Sequence, residues 1–308
     1  MAEPSFTLGI LGLGAMGEAI GRRLLRSGYP LMVFDIESGP LRYFVMNNQT
    51  GPVDVALSPR MMGECCNVVI TALPSVAAAR TAVFGADGLA AGFRTGSILI
   101  EMGHSAAAAK EAMAGLAGRG VAVLEAPARG TPVDAKNGKL VIPVAGDAAA
   151  VQRVMPVLTA LGEKIVATGS SGSAETMAAL AGAVHAQATL AAAEILQLAE
   201  RRGITPATLL EFCAGQGALG AAIVEALRPR DTPRSLTASH AIGAVLNDLD
   251  ATLDLARAEG LLLQQTALCR EIWTALGSDR GPDDDHAAIA RWLATRAKPE
   301  TPDGGAAG

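Results

Sequence analysis

Short, wholly apolar runs alternate with amphipathic segments through the first half of the chain. Phe6 to Leu11 is apolar and ends in glycines, Glu18 to Ser27 carries apolar residues at helical spacing, and Leu31 to Phe34 is a second apolar run. The pattern predicts strand, helix, strand. It continues with strands over Val68–Ala72, Ser97–Ile100 and Val121–Glu125, separated by helices over Ser75–Val83 and Ala106–Arg119. Two more strands, Leu140–Ala145 and Lys164–Thr168, flank a helix over Ala148–Leu161. Strands apolar on both sides belong to a sheet covered on both faces, and their alternation with helices predicts a parallel α/β sheet.

After the cluster Gly169–Gly172 the strand signals vanish. Ala174–Arg202 reads as one helix far longer than the mean of about 11 to 12 residues, suited to a spine between domains. Helices over Pro206–Cys213, Leu219–Leu227, His240–Glu259 and Leu262–Leu276 follow, and Asp283–Asp285 reads as a solvated loop leading into a helix. The expected organisation is an α/β domain over residues 1–168, an all-helical domain over 169–297, and a disordered Pro- and Gly-rich tail over 298–308.

Half of the 308 residues are hydrophobic yet only 3% are aromatic, so packing rests on small side chains. A net charge of −5 without a basic run excludes nucleic acid and acidic membranes as main partners. Cys65, Cys66, Cys213 and Cys269 lack CxxC spacing, and His104, His185, His240 and His286 match no metal motif. No signal peptide and no uninterrupted apolar stretch of about 18 residues stand in the sequence, which predicts a soluble cytoplasmic protein.

Gly12, Leu13, Gly14, Ala15, Met16 and Gly17 spell GxGxxG between the first strand and the first helix. In that context the first glycine permits the turn, the second lets the backbone approach a pyrophosphate, and the third lets helix and strand pack closely. Asp35 ends the second strand, where a carboxylate accepts hydrogen bonds from the adenosine ribose and repels a ribose phosphate. The expected cofactor is NAD rather than NADP, with Arg42 the nearest cation to the contrary.

These residues carry a resemblance. Together with ITALPS at Ile70–Ser75, the stretch Gly85–Gly103, EAPARGTP at Glu125–Pro132 and NDLDATLDLARAEG at Asn247–Gly260, the chain resembles the β-hydroxyacid dehydrogenase family. That family includes 3-hydroxyisobutyrate dehydrogenases, tartronate semialdehyde reductases and, more distantly, imine reductases. The resemblance implies that Ala72, Leu73 and Pro74 line the adenosine side of the cofactor. It places the turn at Met102–Ser105, with Gly103, beside the nicotinamide. It also implies a substrate loop at Arg129, Gly130 and Thr131 and a homodimer built on the helical domain.

The family's catalytic lysine and the asparagine three residues on fall here on Ala178 and Ala181, and the lysine of its Lys-Asp pair falls on Asn247. The loop serine becomes Arg129, and the serine-threonine pair by the nicotinamide becomes Gly103 and His104. Alanine neither takes a proton nor steadies an alkoxide. Three replacements present themselves: His185, two helical turns beyond Ala178 on the same face; His104; and Arg129, which suits a substrate carboxylate. The leading expectation is an NAD(H)-dependent oxidoreductase with altered chemistry, acting on a small molecule such as a bulkier hydroxyacid, carbonyl or imine. An inactive dinucleotide-binding pseudo-dehydrogenase and a redox-neutral, lyase-like enzyme are the alternatives.

Overall fold

The structure is a computed structural model that describes residues 7–48, 50–103, 106–213 and 241–296. The predicted helix Leu219–Leu227, His104, His240 and the tail lie outside the described residues. Among those described, the chain divides into two compact units, one up to Ala178 and one from Ala179.

The first unit is an eight-stranded sheet. Its strands are β1 (Leu8–Leu11), β2 (Leu31–Phe34), β3 (Val53–Val55), β4 (Val68–Thr71), β5 (Ile98–Glu101), β6 (Ala122–Glu125), β7 (Leu140–Ala145) and β8 (Gly162–Gly169). They lie in the order β3-β2-β1-β4-β5-β6-β7-β8. Strand residues alternate between two buried layers. Leu8, Ile10, Val68, Ile70, Ile98 and Ile100 face one layer, closed by α1 (Ala15–Arg26), α2 (Ser38–Met46), α7 (Pro132–Asn137) and α8 (Ala148–Leu161). Leu11, Val69, Leu99 and Val123 face the other, closed by α3 (Pro59–Cys65), α4 (Val76–Phe84), α5 (Leu89–Gly92) and α6 (Ala106–Leu116). Burial on both sides explains why these strands read as unbroken apolar runs.

The fold is α/β and its sheet mostly parallel, as expected, with one local difference. The sheet is parallel except between β6 and β7, which pair antiparallel at Glu125 and Ala145. The cause is the segment after β6: it folds back through α7, and Arg129 exchanges both backbone hydrogen bonds with Val141, at 3.1 and 3.0 Å. β7 therefore returns beside β6 instead of crossing over to run parallel.

The second unit is helical. Most of α9 (Ser173–Arg201) belongs to it, with α10 (Pro206–Cys213), α11 (Ile242–Ala258), α12 (Gln264–Arg280), a 3₁₀ turn (His286–Ala288) and α13 (Ile289–Arg296). Ala183, Ala186, Leu190 and Ala193 of α9 pack on Val245, Leu249, Trp273, Leu276 and Ile289. As expected of the acidic run, Asp285 caps the 3₁₀ turn by accepting from the Ala287 N–H at 2.9 Å. By length and by a mean hydropathy of 1.3 over 18 residues, α9 alone among the described helices passes for membrane crossing, but half of that stretch is buried in the fold. Met177, Leu180, Val184, Ile195 and Leu198 on it are exposed.

Candidate functional site

The order of strands reverses between β1 and β4, so the loops after these two strands diverge and leave a crevice at the carboxyl edge of the sheet, where ligands of such folds bind. A cleft of about 800 Å³ lies there. Gly12, Gly14, Ala15, Met16 and Gly17 line it after β1, Asp35 after β2, Ala72, Leu73 and Pro74 after β4, and Met102 and Gly103 after β5. Of the residues expected to hold a cofactor, Leu13 alone is not in the lining. Its side chain is 4% exposed in the core, and its backbone N–H serves the site by donating to Asp35 Oδ2 at 2.6 Å.

The three motif glycines have three different surroundings. Gly12 has φ +97°, and a Cβ there would stand 2.5 Å from the Ala72 carbonyl oxygen. A Cβ on Gly17 would stand 1.9 Å from the Gly12 oxygen, so α1 could not lie so close to the turn. On Gly14 a Cβ would meet nothing within 4 Å. No protein packing requires glycine at that position, and its bare backbone faces the cleft at the N-terminus of α1, which no side chain caps. An uncapped helix start beside an exposed backbone fits a phosphate group.

Asp35 is half-buried, and its other oxygen accepts from the Glu37 N–H at 2.8 Å, which fixes the carboxylate at the end of β2. Among the described residues lining the cleft, Asp35, Glu37 and Asp87 are the charged ones, and no lysine, arginine or histidine stands with them. α4 enters the wall through Ala77, Ala78 and Thr81, and Ser75 starts that helix by accepting from the Ala78 N–H at 3.2 Å. The sequence reading missed Glu37, Asp87 and this wall.

It also missed two buried carboxyls. Glu101 and Glu125 end β5 and β6 side by side, at 2% and 1% exposure. Glu101 accepts from the Thr71 hydroxyl and, at 2.9 Å, from the Gly103 N–H. Burial pushes its carboxyl up to about 7, against the pull of those two donors. Glu125 accepts from the Ser171 hydroxyl at 2.9 Å and from the Gly172 N–H at 2.7 and 2.9 Å, pinning the start of α9. The available signal was a carboxylate closing an otherwise apolar strand.

The remaining candidates are placed as follows. Arg129 is half-buried beside β7, and Gly130 turns with φ +137°. Thr131 caps α7: its hydroxyl donates to Asp134 Oδ2 at 2.7 Å and accepts from the Asp134 N–H at 3.1 Å. Ala178 is buried, while Asn247 on α11 is exposed. His185 sits in the helical unit, its ring edge-on to His286 at 5.7 Å, and His286 in turn lies 6.2 Å from Trp273. His104 is outside the described residues. Among the described residues no cluster of His, Cys, Asp and Glu could hold a metal ion.

Residues 7–169 match the model of the NAD-binding domain of 6-phosphogluconate dehydrogenase. Residues 172–293 match that of the NAD-binding domain of NADP-dependent 3-hydroxyisobutyrate dehydrogenase. The chain is 27% identical to the 2-hydroxy-3-oxopropionate reductase of Escherichia coli strain K12, over 93% of its own length and 96% of that protein's. The Mycobacterium tuberculosis 3-hydroxyisobutyrate dehydrogenase solved with L-serine superposes with a TM-score of 0.78 at 25% identity, over 94% of this chain and 99% of that one. An imine reductase variant from Myxococcus stipitatus, solved with NAD+, shares the fold at a TM-score of 0.54 and 18% identity, over 94% and 99%. With a dinucleotide cleft at its sheet edge and both domain models matched in order, the chain belongs to the 3-hydroxyisobutyrate dehydrogenase-like oxidoreductases, enzymes that use a nicotinamide dinucleotide.

Proposed function

We propose that this protein is a cytoplasmic, homodimeric, NAD(H)-dependent oxidoreductase whose substrate is a bulkier hydroxyacid, carbonyl or imine. The observation that carries the cofactor choice is the charge of the cleft: Asp35, Glu37 and Asp87 line it, and among the described residues no lining cation stands ready to receive a second phosphate. A carboxylate and a phosphate about 5 Å apart at an effective dielectric near 20 repel by about 3 kcal/mol before salt screening. NADH is therefore expected to bind at least about tenfold more tightly than NADPH, and Asp35→Ser to narrow that gap. Fluorescence titration checks both, and equal affinities in the parent protein would refute the assignment.

Bound dinucleotide supplies or accepts the hydride. The chain's own part is to hold it and to present the substrate without the usual amine, because Ala178 and Ala181 occupy the positions of lysine and asparagine. Their small size leaves room for a larger substrate. A protonated imine brings its own positive charge and so depends less on such an amine, which favours imine reduction among the candidate reactions. Arg129 on the substrate loop suits an acidic substrate group. The test is a panel of aldehydes, hydroxyacids and cyclic imines with NAD(H), followed by nicotinamide absorbance. Turnover of at least one class is expected.

The pseudo-dehydrogenase reading draws support from two contacts. The Thr131 hydroxyl is engaged by Asp134, and the His185 ring packs edge-on to that of His286, as residues in structural rather than chemical use do. Tight NADH binding with silence across the whole panel would establish it.

The exposed apolar positions of α9, Leu180 and Val184 among them, support subunit pairing on this helix. Light scattering at micromolar concentration is expected to give the mass of a dimer, and Val184→Asp to give a monomer. A monomeric parent would remove pairing from the proposal.

A further inference from the structure

We propose that Glu101 is a positioning residue that makes the site discriminate between the two redox states of the nicotinamide, favouring the oxidised, cationic form when ionised. This rests on the reading that the Met102–Gly103 turn lies beside the nicotinamide. The turn lines the cleft, and the Glu101 side chain reaches under it to accept the Gly103 N–H. A Cβ on Gly103 would stand 2.5 Å from Glu101 Oε1, so backbone and carboxyl are in direct contact with nothing between them.

The hydrogen bonds allow both protonation states with no more than a rotation of the Thr71 hydroxyl. Gly103 N–H can only donate, and it holds Oε1 as an acceptor. Oε2 faces the Thr71 hydroxyl, which donates to an ionised carboxyl and accepts from a protonated one. When it accepts, its own proton can turn to the Ile100 carbonyl oxygen, 3.4 Å away. A proton on Oε2 thus reverses one hydrogen bond and leaves the other in place, weakened by the loss of charge. The carboxyl, held near 7 by its burial, changes charge within the working range of a cell.

The other charged groups around it are few. From β6, Glu125 stands in register and is occupied by Ser171 and Gly172. On the helices of the same face, Arg80 of α4 pairs with Glu111 of α6 at 2.6 Å, and Lys110 of α6 is exposed. His104 follows the turn, outside the described residues. No cation is in contact with Glu101 among the described residues, so an oxidised nicotinamide ring brings an opposite charge to the turn. The reduced ring is neutral and gains nothing comparable.

The sign follows by linkage. Binding of the cationic ring favours ionised Glu101, releases a proton near neutrality, and so tightens as pH rises through 7; NADH binding responds much less. Titrating the full chain with NAD+ and NADH from about pH 5.5 to about 8.5 is expected to raise the ratio of NAD+ to NADH affinity by about tenfold, the effect of one pKa unit. Calorimetry of NAD+ binding in two buffers of different ionisation heat is expected to show proton release near pH 7. Glu101→Gln is expected to hold the ratio at its low-pH value. Thr71→Val, which keeps the carboxyl but removes a donor to its ionised form, is expected to move the midpoint upward. A ratio that stays constant with pH in the parent protein, or a Glu101→Gln variant that titrates like the parent, would overturn the assignment. No binding of either form at any pH would instead overturn the cofactor reading beneath it.

Discussion

Oxidation of 3-hydroxyisobutyrate or glycerate by this protein is expected to run about 100- to 10,000-fold below an enzyme with a positioned acid/base, the range such a group contributes. The hydroxyl proton must leave as hydride departs, and a lysine at the position of Ala178 would both take it and steady the alkoxide. Ala178 is 4% exposed, and its methyl side chain carries no polar atom. Steady-state turnover of both compounds with NAD+ checks the expectation. Efficient turnover would mean either that the lysine position does not fall on Ala178 or that another group has taken over, and two variants test the second case. If His185 supplies the proton, His185→Ala should abolish the activity and flatten its pH profile near neutrality. If Arg129 only anchors an acidic substrate, Arg129→Ala should raise KM far more than it lowers kcat. Parent-like behaviour of both variants would direct attention to His104.

The second large effect separates two glycines of one motif. Gly17→Ala places a methyl group 1.9 Å from the Gly12 oxygen and 2.9 Å from its carbonyl carbon, both backbone atoms, so helix α1 or the turn must shift. Overpacking of this kind costs about 1–3 kcal/mol or more and is expected to lower the unfolding midpoint by several degrees. Gly14→Ala meets nothing within 4 Å and, at φ −59°, imposes no backbone strain. That variant is expected to melt with the parent yet bind NADH at least about tenfold more weakly, because the methyl group occupies the space of the pyrophosphate. Thermal melts and NADH titrations of both variants check the contrast. A Gly14→Ala variant with undiminished affinity would show that no ligand approaches this backbone.

Strongly periodic segments were legible in advance. Leu31–Phe34, Leu140–Ala145 and Ala148–Leu161 have the predicted bounds, because their side chains are buried together and composition had to follow. The cofactor turn was legible for the same kind of reason: close approach admits only glycine at Gly12 and Gly17, so the constraint is written in residue type. The elements α2, β3, α3 and α7 were not. α2 buries one residue in its core, Phe44, and β3 is an edge strand with exposed positions, so neither leaves a periodic mark.

The sequence by itself thus determined the strongly periodic strands and helices and that a dinucleotide turn follows β1, and it sets alanine at positions 178 and 181. Each is a matter of local pattern or residue identity. Only the tertiary structure decided the direction of β7, because a strand's periodicity is the same whichever way it runs, and pairing between Arg129 and Val141 turns the chain back. It alone decided the environments of Glu101 and Thr131. A carboxylate at a strand end or a hydroxyl in a loop reads as solvated until the fold buries one beside Thr71 and Gly103 and engages the other at a helix start.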